Sequence, residues 1–68
     1  MTYAIVIERG PTSYGATVPD LPGCVAVGET RAEVERLIHE AITLHIEGLR
    51  RDGIAVPPPQ TQVTTVDV

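Results

Sequence analysis

The chain has 68 residues, with nine Asp or Glu against five Arg and no Lys (net charge −4), one cysteine, and Tyr3 and Tyr14 as its only aromatic residues. A chain of this size buries only about 60% of its unfolded surface, so it makes one domain at most, with a marginal core. Its composition excludes an internal disulfide, a membrane span of about 20 apolar residues, a base-stacking platform and nucleic-acid binding through basic phosphate contacts.

Residues 3–8, YAIVIE, are rich in β-branched side chains and predict a first strand. The turn signal RGPTS follows, then YGATV at 14–18, where Tyr14, Ala16 and Val18 share one face of a second strand. The two form an antiparallel hairpin with a loop slightly longer than the tightest type. The stretch VPDLPGC is a rigid chain reversal: Pro19 and Pro22 pin φ, Gly23 is free to take an unusual backbone angle, and Asp20 is a turn residue. Val25–Gly28 is a short third strand.

The strongest local signal comes next. Thr30 is placed as an N-cap with Glu33 at the capping-box position. Val34, Leu37, Ile38, Ala41, Ile42, Leu44, Ile46 and Leu49 then recur at helical spacing. Arg50 and Arg51 face the negative end of the helix dipole, and Gly53 is suited to a left-handed C-cap. This predicts one helix over 31–52, about 33 Å long. Gly48 lies inside it and is expected to allow close approach to a strand. Pro57–Pro59 make an extended connector, and the Val- and Thr-rich end predicts a last strand at 62–67. The order β-β-β-α-β describes an α+β two-layer sandwich, with residues 1–68 as a single domain.

The side chains that carry chemistry are sparse. Cys24 has no basic neighbour in sequence and is expected to be a packed, inert thiol. His39 and His45 are six apart, which is not the spacing of a metal pair. His45 falls near the middle of the apolar arc and is expected to be a hydrogen-bonded core histidine. No catalytic set, metal site or cofactor motif is present, so no enzymatic activity and no cofactor are expected. The N-terminus has no secretory leader, which points to a reducing cytoplasm. The apolar arc from Leu44 through His45 to Ile46 spans roughly 200°, more than one sheet needs. With the marginal core, that surplus predicts a homo-oligomer of two or more copies or a partner interface.

Taken together, Pro19–Cys24, Gly28–Thr30, Glu40–Ala41, Leu44–Glu47, Asp52–Gly53 and Pro57–Pro59 resemble the HicB-type antitoxins of bacterial toxin–antitoxin pairs, and the match covers most of the chain. The resemblance implies a partial ribonuclease-H-like fold and a small basic mRNA-cleaving toxin (HicA-like), if co-encoded, which the chain binds and neutralises. The acidic balance suits that partner. On this reading the Pro19–Cys24 turn is either scaffolding or a toxin contact, and Asp20, Leu21, Glu40 and Glu47 are the candidate contact residues. Many members carry a C-terminal DNA-binding module; a chain ending at Val68 leaves no room for one. His45 stands where a tyrosine is common in the family. The alternative reading is an orphan oligomeric module, binding or structural, without a toxin.

Overall fold

The computed structural model describes residues 1–68. Three strands, β1 (Val6–Arg9), β2 (Tyr14–Thr17) and β3 (Val25–Gly28), precede one helix, α1 (Arg31–Arg51). The strands form an antiparallel sheet in chain order, with β2 in the centre. The helix covers one face of it, lying over β3 and β2 rather than β1. The architecture is α+β, as the sequence predicts.

Residues 10–13 close the hairpin, where the Gly10 N–H donates to the Ser13 carbonyl at 2.8 Å. β1 begins at Val6 instead of residue 3 because its partner runs out: Val6 pairs with Thr17, the last residue of β2. Val18 already belongs to the next reversal. That reversal is two successive turns, each with proline in its second position. The Leu21 N–H donates to the Val18 carbonyl at 3.0 Å, and the Cys24 N–H to the Leu21 carbonyl at 3.0 Å. In the second turn Gly23 has φ +84°, the left-handed angle of a type II turn, which Pro22 precedes with its fixed φ.

The helix starts as its sequence predicts. Thr30 is extended, and its hydroxyl accepts the Glu33 N–H at 3.1 Å. The Glu33 carboxylate reaches back to the N–H of Glu29 at 2.9 Å, one residue before the cap itself. Thr30→Ala removes the cap acceptor and is expected to cost about 1 kcal/mol of stability. Urea denaturation reads this directly, and an unshifted midpoint would mean that the hydroxyl is not holding the helix start. At the other end the Gly53 N–H donates to Arg50 and the Ile54 N–H to Leu49, with Gly53 at φ +70°. This is the Schellman arrangement, and it satisfies carbonyls that the helix would otherwise orphan.

Period-two alternation sorts the sheet side chains. Ile7, Ala16 and Ala26 sit in one row on the face that carries α1, and Val6, Thr17 and Val25 in a row on the open face. The core comprises Ala16, Val18, Leu21, Cys24, Val34 and Ile38, with Tyr3, Ile5, Ile7, Ala26, Ala41, Ile42 and Ile46 packed around it. Only seven of 68 residues are buried, so each core side chain carries an unusual share of the stability.

Two sequence-based expectations are corrected here. Residues 62–67 form no strand: after Thr61 the chain runs exposed and pairs with neither sheet edge. Strand propensity is realised only against a partner strand, and none lies alongside. Gly48 makes no close approach to a strand, since a Cβ there would meet only the Arg51 guanidinium at 3.6 Å. The close approach belongs to Gly28, where a Cβ would lie 2.8 Å from the Val34 nitrogen. That glycine ends β3 and lets the first turn of α1 pack directly against the strand.

Candidate partner interface

The four candidate contact residues fall in three different environments. Leu21 is a core residue with 0% exposure, which corrects the expectation that it faces a partner. The two-turn reversal folds it inward, beneath α1. The reversal therefore works as scaffolding at Leu21 and Cys24, and it is solvent-facing only at Pro19, Pro22 and Gly23.

Asp20 holds the chain's own C-terminal segment. Its carboxylate accepts the Thr61 N–H at 3.0 Å, the Thr61 hydroxyl at 2.9 Å and the Gln60 N–H at 3.1 Å. A second attachment lies upstream, where the Tyr3 hydroxyl donates to the Pro57 carbonyl. The segment from Gly53 to Thr61 is thus strapped across the end of the sheet. The bond from the Thr61 backbone, with those from its hydroxyl and from Gln60, stabilises the charged carboxylate and holds Asp20 below the usual Asp range, against a smaller opposing push from desolvation. A carboxyl lowered on folding stabilises above its unfolded pKa, roughly 3.9, and loses that contribution as pH falls through the folded value. Acidification below about pH 4 is therefore expected to free Gln60 and Thr61 while α1 persists. Amide exchange at these two residues, followed against pH, checks this, and protection that survives protonation would refute it.

Glu40 and Glu47 stand exposed on the face of α1 away from the sheet. Glu40 accepts from Arg36 at 3.1 Å, and one turn nearer the start Arg31 pairs with Glu35 at 3.4 Å. Exposed i,i+4 pairs of this kind contribute about 0.3–0.5 kcal/mol each. α1 as a whole carries four carboxylates and four arginines, so its formal charge is zero. The net −4 of the chain therefore resides in the sheet, the turns and the tail, at Glu8, Asp20, Glu29, Asp52 and Asp67 against Arg9.

The side chain that sequence reasoning misplaced is Leu44. Counted there as part of the apolar arc, it is 67% exposed. Its spacing held the signal, because it follows Glu40 by four residues and precedes Glu47 by three, the spacings that share a helix face. His45 is half-buried and its side chain makes no hydrogen bond, so it is not the hydrogen-bonded core histidine expected; the structure gives no account of its function. Cys24 is buried, and burial raises its thiol pKa, which keeps it protonated and unreactive. No three His, Cys, Asp or Glu side chains gather in one place. The depression beside the start of α1, about 340 Å³, is lined by Arg9, Tyr14, Glu29, Thr30 and Arg31 among others. No helix is long and apolar enough to cross a membrane.

A three-stranded antiparallel sheet with one helix across it defines a small α+β domain. The sequence matches the family described as HicB_like antitoxin of bacterial toxin-antitoxin system over residues 3–67, and the chain belongs to that family. Its fold is similar to a chain of the solved HicA3 and HicB3 toxin-antitoxin complex, with a TM-score of 0.74 and 33% identity, covering 87% of this chain and 70% of that one. It is 34% identical to a UPF0150 protein of Thermoplasma acidophilum, across 97% of both chains. It is also 42% identical over 57 residues to an uncharacterized 14.9 kDa protein in the rep-hol intergenic region of Haemophilus phage HP1. There the match takes in 84% of this chain but only 43% of the phage protein, so the chain spans less than half the length of that relative.

Proposed function

We propose that this chain, as one domain over residues 1–68, binds a small basic ribonuclease toxin and neutralises it by covering its active site. The observation that carries this reading is the likeness, at 33% identity, to a chain of a complex between a HicA toxin and a HicB antitoxin. Binding of this kind needs no catalytic group, cofactor or nucleic-acid contact on the antitoxin. It suits a reducing cytoplasm, where the single buried thiol stays unmodified.

Two physical terms support the interaction. The net charge of −4 steers a cationic partner and raises the association rate, most strongly at low salt. Affinity then depends on a few anchor side chains in a desolvated centre. Glu40 and Glu47 are the contact residues we assign. Glu47 forms no ion pair within the chain, and Glu40 must exchange or share its Arg36 partner. Asp20 contributes indirectly, by holding the segment through Thr61 in place.

Reversing both helix acids, Glu40→Arg with Glu47→Arg, is expected to slow association with the toxin about tenfold at low salt and to flatten its salt dependence. Stability should fall by about 1 kcal/mol or less, since both residues are exposed and what changes is the Arg36–Glu40 pair and the like charges set beside Arg36, Arg50 and Arg51. The decisive test is co-expression with the product of the adjacent reading frame, scored by bacterial growth and co-purification. A neighbour that is toxic alone, and stays equally toxic and unbound beside this chain, would refute the antitoxin reading and leave the orphan module in its place.

A further inference from the structure

Strand register puts Arg9 opposite Tyr14, and Tyr14 opposite Gly28, at the end of the sheet where α1 begins. By period-two alternation these three share the face of Ile7, Ala16 and Ala26, the face that carries α1. The first turn of α1 covers Gly28, but the helix lies over β3 and β2 and leaves β1 open. A notch therefore remains between Arg9 and the helix start, and it has two lobes. The depression of about 340 Å³ described above is polar, bordered by the hairpin loop and Thr30. A second depression, of about 370 Å³, is floored by Ile5 and Ile7. Arg9, Tyr14 and Arg31 line both, so they stand where the two lobes meet.

Two of the chain's five arginines thus converge on one notch, in a protein of net charge −4. Arg9 has no ion pair. Arg31 is engaged only through Nε, by Glu35 at 3.4 Å, which leaves the tip of its guanidinium free. Glu29 is the only acid lining either lobe. The neighbouring Glu33 carboxylate is turned back onto the Glu29 N–H. Two guanidinium groups facing one space repel each other, and an anion between them relieves that repulsion.

We propose that this notch binds a single phosphate group, free or carried by a small molecule such as a nucleoside monophosphate. Guanidinium groups match phosphate oxygens in paired hydrogen bonds. The polar lobe offers hydroxyl donors at its rim, Ser13 among them. The Tyr14 ring with Ile5 and Ile7 provides an apolar wall on the other side, suited to a flat organic group attached to the phosphate. The charge balance selects a small ligand over a nucleic-acid strand. A strand would lay further phosphates against a surface of net negative charge, and holding it takes more cations than these two.

The inference does not depend on the toxin. Amide chemical shifts of the intact chain, titrated with inorganic phosphate and compared with sodium chloride at equal ionic strength, test it. Saturable shifts centred on Ser13, Tyr14, Thr30 and Arg31 are expected, with a Kd of about 1 mM or below. Arg9→Gln and Arg31→Gln, both at exposed positions, each remove one charge-assisted contact and should raise that Kd about tenfold. Arg51→Gln removes the same charge at the far end of α1, about 30 Å away, and should leave the Kd unchanged. Adenosine monophosphate is the second probe. Binding about tenfold tighter than phosphate assigns the apolar lobe to the base, whereas equal affinity assigns the notch to phosphate alone. Shifts that still grow linearly at about 10 mM phosphate, that chloride reproduces, or that persist when Arg9→Gln and Arg31→Gln are combined overturn the proposal.

Discussion

Leu21→Ala is expected to lower the unfolding free energy by about 2–5 kcal/mol. The wild-type side chain is fully enclosed between the chain reversal and α1, so truncation leaves a cavity bounded by turns that cannot collapse into it. The Val18–Leu21 and Leu21–Cys24 hydrogen bonds, with two prolines, fix the backbone on both sides of the gap. A core of this size contributes only about 3–5 kcal/mol net, so the variant is expected to be largely unfolded at 25 °C. Urea titration followed by circular dichroism measures the effect. Stability within 1 kcal/mol of wild type would mean that the reversal relaxes onto the hole, contrary to the rigidity argued here.

The second large effect is expected at Gly28→Ala. The added methyl would lie 2.8 Å from the Val34 nitrogen, 3.1 Å from its Cα and 3.1 Å from a Glu33 carboxylate oxygen. Two of these three are backbone atoms of the first helical turn, which cannot rotate away as a side-chain tip can. Gly28 has no positive φ, so the cost is purely steric: α1 must lift from β3, and the Glu33 bond to Glu29 is disturbed with it. About 1–3 kcal/mol is expected to be lost, with the thermal midpoint falling accordingly. Gly48→Ala is the natural comparison, because the same methyl there meets only an ordinary contact at 3.6 Å and should be neutral or stabilising. Equal effects at the two glycines would show that helix propensity, rather than close approach, governs both.

These pairs also show what the sequence made legible. The helix start, its cap, the third strand and the type II turn each depend on residues within four or five positions of one another, and their local chemistry is sufficient to place them. β1 lost its first residues because β2 turned away at Val18, an event outside β1 itself. Gly48 and Gly28 look alike in sequence, and only the packing of β3 under α1 separates them. Leu21 reads as a hydrophobic residue on a turn and hence as a surface anchor; the double turn that inverts it is a three-dimensional fact. The terminal Val and Thr residues have strand propensity without a strand beside them. Of the candidate contacts, the exposure of Glu40 and Glu47 was legible because helical spacing alone puts them outside. Asp20 was read correctly as a turn residue, but its acceptor role for Gln60 and Thr61 spans about 40 positions and left no local trace.

The strapped C-terminal segment has a kinetic consequence. Every strand pairs with its neighbour in sequence, and α1 folds back onto the strand that immediately precedes it, so the body can assemble stepwise from nearby parts. Rapid folding is the usual outcome of such an order. The hydrogen bonds with the largest sequence separation are those of Tyr3 to Pro57 and of Asp20 to Gln60 and Thr61, spanning 54, 40 and 41 positions. Closing them costs the most chain entropy and adds only the partial burial of Val56, Pro57 and Pro59. The strap is thus the last part to settle during folding and the first to come away, opening as a unit separate from the helix and sheet beneath it.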